Sequence, residues 1–224
     1  LNGLKKYNTL KAINNAPESK LFKDGGYLIS NCKNASLIFD CGSLGYLSTS
    51  GHGHCDALSI ILSVDGKDFF IDPGTYIYHG DPKWRNYFRS TEAHNTIKID
   101  DKNQSEIKGT FVYGRKANCN IIKSYISETK DELIASQDGY ENIGVMHERS
   151  VVHDKNKQEI VITDNIKTND SHSIFMYFNL HPDVKVKRQG NILFLSHENT
   201  QIKLIFDNKL NVKTYFGSNN PIRG

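Results

Sequence analysis

The chain has 224 residues, enough for one large or two small domains with a substantial core, and 38% hydrophobic with 24% charged residues suits a globular protein. Its net charge of +3, with both signs interspersed, lays down no electrostatic stripe for nucleic acid. No apolar run approaches the roughly 20 residues of a membrane-spanning helix. The start, Leu1-Asn2-Gly3-Leu4-Lys5-Lys6, is no signal peptide, and with no initiator Met the chain reads as processed or cut from a longer protein.

Residues 1–20 are polar, with a turn at Asn14-Asn15-Ala16-Pro17-Glu18, and read as a linker or short helix. From there to residue 224 the pattern is one of short strands punctuated by Gly, Asn and Asp. The first two, near 26–30 and 36–40, are joined by an Asn-containing turn. A hairpin follows, in which Asp65-Gly66 separates residues 58–64 from 69–71. Residues 73–95 form a long segment rich in aromatics and poor in alternation, the kind of connection that usually carries function. Strand character resumes at 96–100 and continues through 118–128, 133–137, 145–153, 159–164, 173–180, 184–188, 192–197 and 201–206. Strands at such regular spacing, with almost no helical periodicity, predict an all-β chain folded as an antiparallel, multi-stranded β-sandwich over 21–224. Cys32, Cys41, Cys55 and Cys119 show no CxxC pair or zinc-finger spacing. A Cys32–Cys41 disulfide is open to an exported protein, and free buried thiols are the alternative.

The organising stretch is Gly51-His52-Gly53-His54-Cys55-Asp56-Ala57-Leu58-Ser59. On a strand, His52, His54 and Asp56 would share a face. Such side chains are costly to bury unless paired or bound to metal. The plain alternative is a polar loop entering a core strand. Asp72, before Pro73-Gly74, and His94, in Ala93-His94-Asn95-Thr96, stand at strand ends and can join the motif. Two imidazoles and one carboxylate make a typical zinc set, which gives His54, Asp72 and His94 as ligands. Strict alternation objects to it. A two-residue turn at Asp65-Gly66 pairs Leu62 with Phe69 and places Asp72 on the face opposite His54. The set forms only if a bulge near Pro73-Gly74, or a break before Leu58, resets the face.

Several longer words now fall in one order: Asp40-Cys41-Gly42-Ser43-Leu44-Gly45-Tyr46, Gly51-His52-Gly53-His54, Asp72-Pro73-Gly74-Thr75-Tyr76, Gly80-Asp81-Pro82, Trp84-Arg85, Tyr87-Phe88-Arg89-Ser90-Thr91, Ala93-His94-Asn95-Thr96 and Gln104-Ser105-Glu106. Together they resemble the C-terminal domain of the heparinase II/III-like family of polysaccharide lyases, and Asp138-Gly139-Tyr140 and His147-Glu148-Arg149 extend the likeness to nearly the whole chain. The resemblance implies a β-sandwich that follows an N-terminal (α/α) toroid, absent from this sequence, with the active site between the two. It implies β-elimination on uronic-acid polysaccharides such as heparan sulfate or alginate, and a periplasmic or secreted location. By the family pattern His52 is catalytic, while His54, Asp72 and His94 hold a structural zinc.

Elimination requires that the uronate carboxylate be neutralised, the C5 proton removed and the departing O4 protonated, tasks suited to imidazole and phenol groups. The tyrosine and the Asn or His that complete this set in the family belong to the toroid, so these residues alone hold half a site. Arg89, as a carboxylate fork, and Tyr76, as a sugar-stacking aromatic, are further candidates for binding substrate. Trp84 and Tyr87 read as packing within the 73–95 segment, and His79 as a further cleft candidate. His147, His153, His172 and His197 read as surface or hydrogen-bonded histidines, and Lys185-Val186-Lys187-Arg188 as a solvated strand face. Two other readings compete: a non-catalytic carbohydrate-binding or structural module of a polysaccharide-synthesising or remodelling protein, and a hydrolase with a catalytic metal.

Overall fold

The computed structural model describes residues 17–45 and 50–215. The expected linker or short helix over 1–20 lies mostly outside them, as does Tyr46. Two antiparallel sheets form the body. The first runs in the order β1 (Lys20–Phe22), β2 (Tyr27–Asn31), β3 (Ala35–Asp40), β4 (Ile60–Val64) and β5 (Lys67–Phe70). The second contains β9 (Cys119–Ile126), β10 (Lys130–Gln137), β11 (Met146–Asp154) and β12 (Glu159–Lys167), ordered β12-β11-β10-β9. Between them come β6 (Ile97–Ile99) and the ribbon of β7 (Ile107–Gly109) with β8 (Val112–Tyr113). After them β13 (Ile174–Met176) pairs with β6, and β14 (Lys185–Gln189), β15 (Ile192–His197) and β16 (Thr200–Ile205) form a three-stranded sheet.

Alternation decides which side chains meet. Along β10 and β11 every second residue is buried, Leu133, Ala135 and Val151 among them. They pack with Leu28, Leu37, Phe39, Ile60 and Leu62 of the first sheet, and with Leu193 and Leu195 of β15. A β-sandwich core results. The same inward rows carry polar groups toward their ends: Asp131 and His153 at one, Gln137, His147 and Arg149 at the other. Each is partnered. Ser30 Oγ donates to Asp131 at 2.5 Å and meets His153 Nδ1 at 2.8 Å, tying the two sheets together. The 185–188 strand face is exposed, as expected, and the four cysteines are free thiols.

Three expectations need correction. Residues 51–59 form a loop, with Ser50 and Leu58 in the left-handed region (φ 51° and 61°), so His52, His54 and Asp56 do not alternate on a strand. The β4–β5 register places Leu62 opposite Phe70, with the shift between Leu62 and Ser63. The bulge is thus in the hairpin itself, before Pro73-Gly74, and it lets both Phe69 and Phe70 be buried. Finally, the 73–95 segment contains a helix, α1 (Pro82–Phe88). Asp81 caps it by accepting from the backbone N–H groups of Lys83 (2.9 Å) and Trp84 (3.3 Å), and Pro82 starts it.

Candidate functional site

The two connections that matter leave the same end of the first sheet. The β3–β4 loop (41–59) departs and returns beside itself, because Leu58 N–H donates to Asp40 O and Asp40 N–H donates to Ser59 O, both at 2.9 Å. The β5–β6 segment (71–96) contains α1 and crosses that loop, where Cys55 N–H donates to Arg89 O at 3.0 Å. Gly53 permits the fold-back: a Cβ there would stand 2.9 Å from the backbone nitrogen of Gly45.

Where the connections meet, candidate ligand atoms of His54, Asp72 and His94 lie within 4.8 Å of one another. The imidazoles of His54 and His94 are 5.2 Å apart and tilted by 33°. His94 is fully buried, and its Nδ1 lies 2.6 Å from Asp72 Oδ2, while its buried Nε2 has no hydrogen-bond partner. The Thr75 hydroxyl stands 3.3 Å from His54 Nε2, and Asp72 Oδ1 accepts from Gly74 N–H at 2.8 Å, closing the turn that aims the carboxylate.

Two further acids, Asp56 and Asp40, interact electrostatically with this cluster. Burial pushes Asp56 up to about 7, against the pull of His94 and with added repulsion from Asp40 and Asp72. Asp40 is raised by the same burial. Burial would lower His94, but its hydrogen bond to Asp72 and the charges of Asp56, Asp72 and Asp40 raise it. Burial and the proximity of His94 push His54 down to about 4. The local field therefore favours a cation, and His54 keeps a neutral, ligand-competent ring. The buried Nε2 of His94, without a partner, fits a metal as well. The donors present suit zinc.

The scaffold around the cluster comes from distant residues. Asn95 donates to the carbonyls of Ile60 (2.7 Å) and Ile71 (3.0 Å), and Thr96 donates to Ala57 O at 2.8 Å. Arg149, from β11, donates to the carbonyls of Leu58 (2.8 Å) and Asn95 (2.7 Å). Its other nitrogens meet Asp164, which also meets His147 Nε2 at 2.7 Å. One inward-facing arginine thus joins the second sheet to both site connections.

His52 points elsewhere. Exposed, it meets the ring of Tyr78 edge-on at 5.7 Å and lies 6.0 Å from Phe111. Tyr78 and Phe111 stack at 5.9 Å, His79 meets Phe111 at 6.0 Å, and the buried Arg85 guanidinium lies 5.2 Å from the Tyr78 ring and 5.7 Å from that of Phe111. Phe111 and Arg85 were missed in the sequence. Phe111 arrives from the β7–β8 turn, and only the aromatic density of the 73–95 segment hinted at such a patch. Tyr76 is 46% exposed and stacks on Phe88 at 5.0 Å. Arg89 does not join the surface. It is fully buried, donating to the carbonyls of Gly109 (2.6 Å) and Thr110 (2.9 Å) and to Asn86 Oδ1 (2.7 Å), so its fork anchors the β7–β8 ribbon. His147, His153 and His197 are buried and hydrogen-bonded, and His172 Nδ1 lies 2.6 Å from Asp100.

The family model described as heparinase II/III-like, C-terminal, matches residues 14–214. The chain belongs to this family. It is similar to the heparin-sulfate lyase of Bacteroides thetaiotaomicron, with 29% identity over 180 residues, 79% of this chain and 21% of that protein. A second heparin-sulfate lyase, from Pedobacter heparinus, is 30% identical over 114 residues, covering 50% of this chain and 16% of that protein. The crystal structure of the heparan sulfate lyase HepC from Pedobacter heparinus superposes with a TM-score of 0.67 at 21% identity, over 84% of this chain and 28% of that one. A structure of heparinase III gives a TM-score of 0.67 at 24% identity, over 85% and 29%. The sandwich is therefore the fold of this family's C-terminal region. The chain spans about a fifth of the curated relatives it matches. Among the described residues no helix is long and apolar enough to cross a membrane.

Proposed function

We propose that this heparinase II/III-like sandwich is the C-terminal part of a lyase that cleaves a uronic-acid polysaccharide, heparan sulfate being the favoured class, by β-elimination. The observation that carries this reading is the division of labour within one short loop. His52 stands exposed on an aromatic surface, and His54, two residues on, is buried beside Asp72 and His94. His54, Asp72 and His94 would hold a structural zinc, which when bound neutralises the acid cluster and locks the two connections together. His52, set by those connections, would contact the substrate at the C5 proton or the leaving O4. Tyr78, Phe111 and Tyr76 offer apolar faces for sugar rings beside it. The partners completing the reaction, including whatever neutralises the uronate, would come from a toroid domain of the same protein. The similarity to heparin-sulfate lyases of Bacteroides and Pedobacter species supports the substrate class.

The test uses the full-length protein containing this chain. With heparan sulfate it is expected to generate an ultraviolet-absorbing unsaturated uronate. His52→Ala should lower turnover at least a hundredfold, since acid–base groups contribute about 10²–10⁴-fold, and should leave zinc content unchanged. His94→Gln should lower zinc content. Full turnover in His52→Ala would remove His52 from the chemistry and leave this sandwich a binding part of the lyase, and no product from any uronate polymer would sink the lyase reading itself.

A further inference from the structure

A second cluster of imidazole and carboxylate groups lies outside the site described above. Ligand atoms of His181, Asp183 and His197 lie within 4.8 Å of one another, as those of His54, Asp72 and His94 do. Three separate segments build it. Phe70 bridges Leu180, and His181 N–H donates to Phe69 O at 3.0 Å, pinning the 181–184 turn to the edge of β5. That turn closes through Val184 N–H on His181 O at 2.9 Å. His197 arrives from the far side, as the last residue of β15 at the β15–β16 turn. The two imidazoles stack at 4.6 Å with 22° between planes, and Phe69 closes the other side of His197 edge-on at 6.0 Å.

The hydrogen bond of His197 prepares it as a ligand. His197 Nδ1 lies 2.9 Å from the carbonyl oxygen of Asp68. A carbonyl only accepts, so Nδ1 carries the proton and Nε2 keeps its lone pair, the arrangement commonly seen for metal-bound histidines. The Asp183 carboxylate lies 3.8 Å from His181 Nδ1, which accepts from the Asp183 backbone N–H at 3.2 Å, a long contact that a metal ion would replace. Exposure is graded: His197 is 6% exposed, and the side chains of His181 and Asp183 are 26% and 77% exposed. One wall is rigid, and the opposite one is open to entering ions and water.

We propose that His181, Asp183 and His197 form a second divalent transition-metal site, of the zinc class, clipping the β14–β16 sheet to the edge of β5. Two nitrogens and one oxygen exclude calcium and magnesium as preferred occupants and leave water the fourth position. Tetrahedral bonds of about 2.1 Å separate ligand atoms by about 3.4 Å. The exposed Asp183 side chain has the freedom to close that gap. The proposal is independent of the lyase reading, since its residues lie on the β5–β15 side of the sandwich and include none of those assigned to catalysis.

The experiment is cobalt titration of the metal-stripped protein, following ligand-field absorption and bound metal after desalting. The parent, Asp183→Asn and His181→Gln are compared, with far-UV circular dichroism as the folding control. The parent is expected to bind one more equivalent than either variant, and cobalt should raise its melting temperature further than theirs. Asp183→Asn alters an exposed side chain and keeps the test usable if His181→Gln does not fold. Equal stoichiometry and equal shifts in the parent and a folded variant would overturn the proposal. An equivalent lost in these variants but retained in His94→Gln would assign that metal here, whatever the fate of the first cluster.

Discussion

At the scale of single residues, Arg149 carries more of this site than any ligand candidate. It is wholly buried, holds the carbonyls flanking both site connections and pairs with Asp164, whose side chain is 6% exposed. Burial alone would raise Asp164, but the Arg149 charge and the hydrogen bonds from His147 and Arg149 outweigh it and hold the carboxyl at about 2. Breaking one side of such a pair strands the other charge. Asp164→Asn should therefore cost about 3–5 kcal/mol, read from the shift in denaturant midpoint. A loss under about 1 kcal/mol would mean that water reaches the guanidinium. His147-Glu148-Arg149 was visible in the sequence as an echo of a family word. Its role was not, because nothing local tells an inward arginine from one on a solvated face.

The strands were legible because their alternation is a local property. Ile202, Leu204 and Phe206 are half-buried between exposed Lys203 and Ile205, as the sequence pattern predicts. The seven-residue helix α1 was not read, since two turns give periodicity little room, although Asp81-Pro82 carried its start signal. The bulge between Leu62 and Ser63 escaped for a related reason: the aromatic pair Phe69-Phe70 decides it by burying both rings, a tertiary demand. The convergence of His54, Asp72 and His94 was readable from ligand chemistry, and the break before Leu58 that resets the face was one of the two routes the sequence offered, whereas the bulge within the hairpin was not. The cap makes a prediction about α1. Asp81→Ala removes the acceptor for two backbone N–H groups and should cost about 1 kcal/mol. Because α1 carries Arg85 and leads into Arg89, amide hydrogen exchange should rise across 82–94 and in the 51–56 loop. Unchanged exchange in that loop would show that it does not depend on the helix.

For the whole molecule, the arrangement of buried histidines between the sheets sets the response to acid. His147 and His153 sit on the inward face of β11, and burial depresses both despite the neighbouring Asp164 and Asp131. A depressed histidine stays neutral in the fold, while the unfolded chain takes its proton at about pH 6.5. Below that pH the unfolded state binds more protons, so each such group lowers stability as pH falls and stops doing so beneath its folded value. Asp164 adds a second loss, from about pH 4 toward its folded value near 2. His94, which is raised, acts in the opposite sense: its contribution is complete below about pH 6.5 and fades as pH rises through its folded value. A single pH profile therefore mixes opposing slopes. Comparing the parent with His147→Gln separates them, because His94 and His153 cancel and Gln can still donate to Asp164. The substitution should flatten the fall in unfolding free energy between pH 7 and 5, by at most about 1.4 kcal/mol per pH unit, while the loss below pH 4 persists. Parallel profiles across that upper window would mean that His147 takes up a proton inside the folded sandwich. The buried Arg149–Asp164 pair would then have to accommodate a second positive charge, with His147 repelling the arginine that holds the site loops.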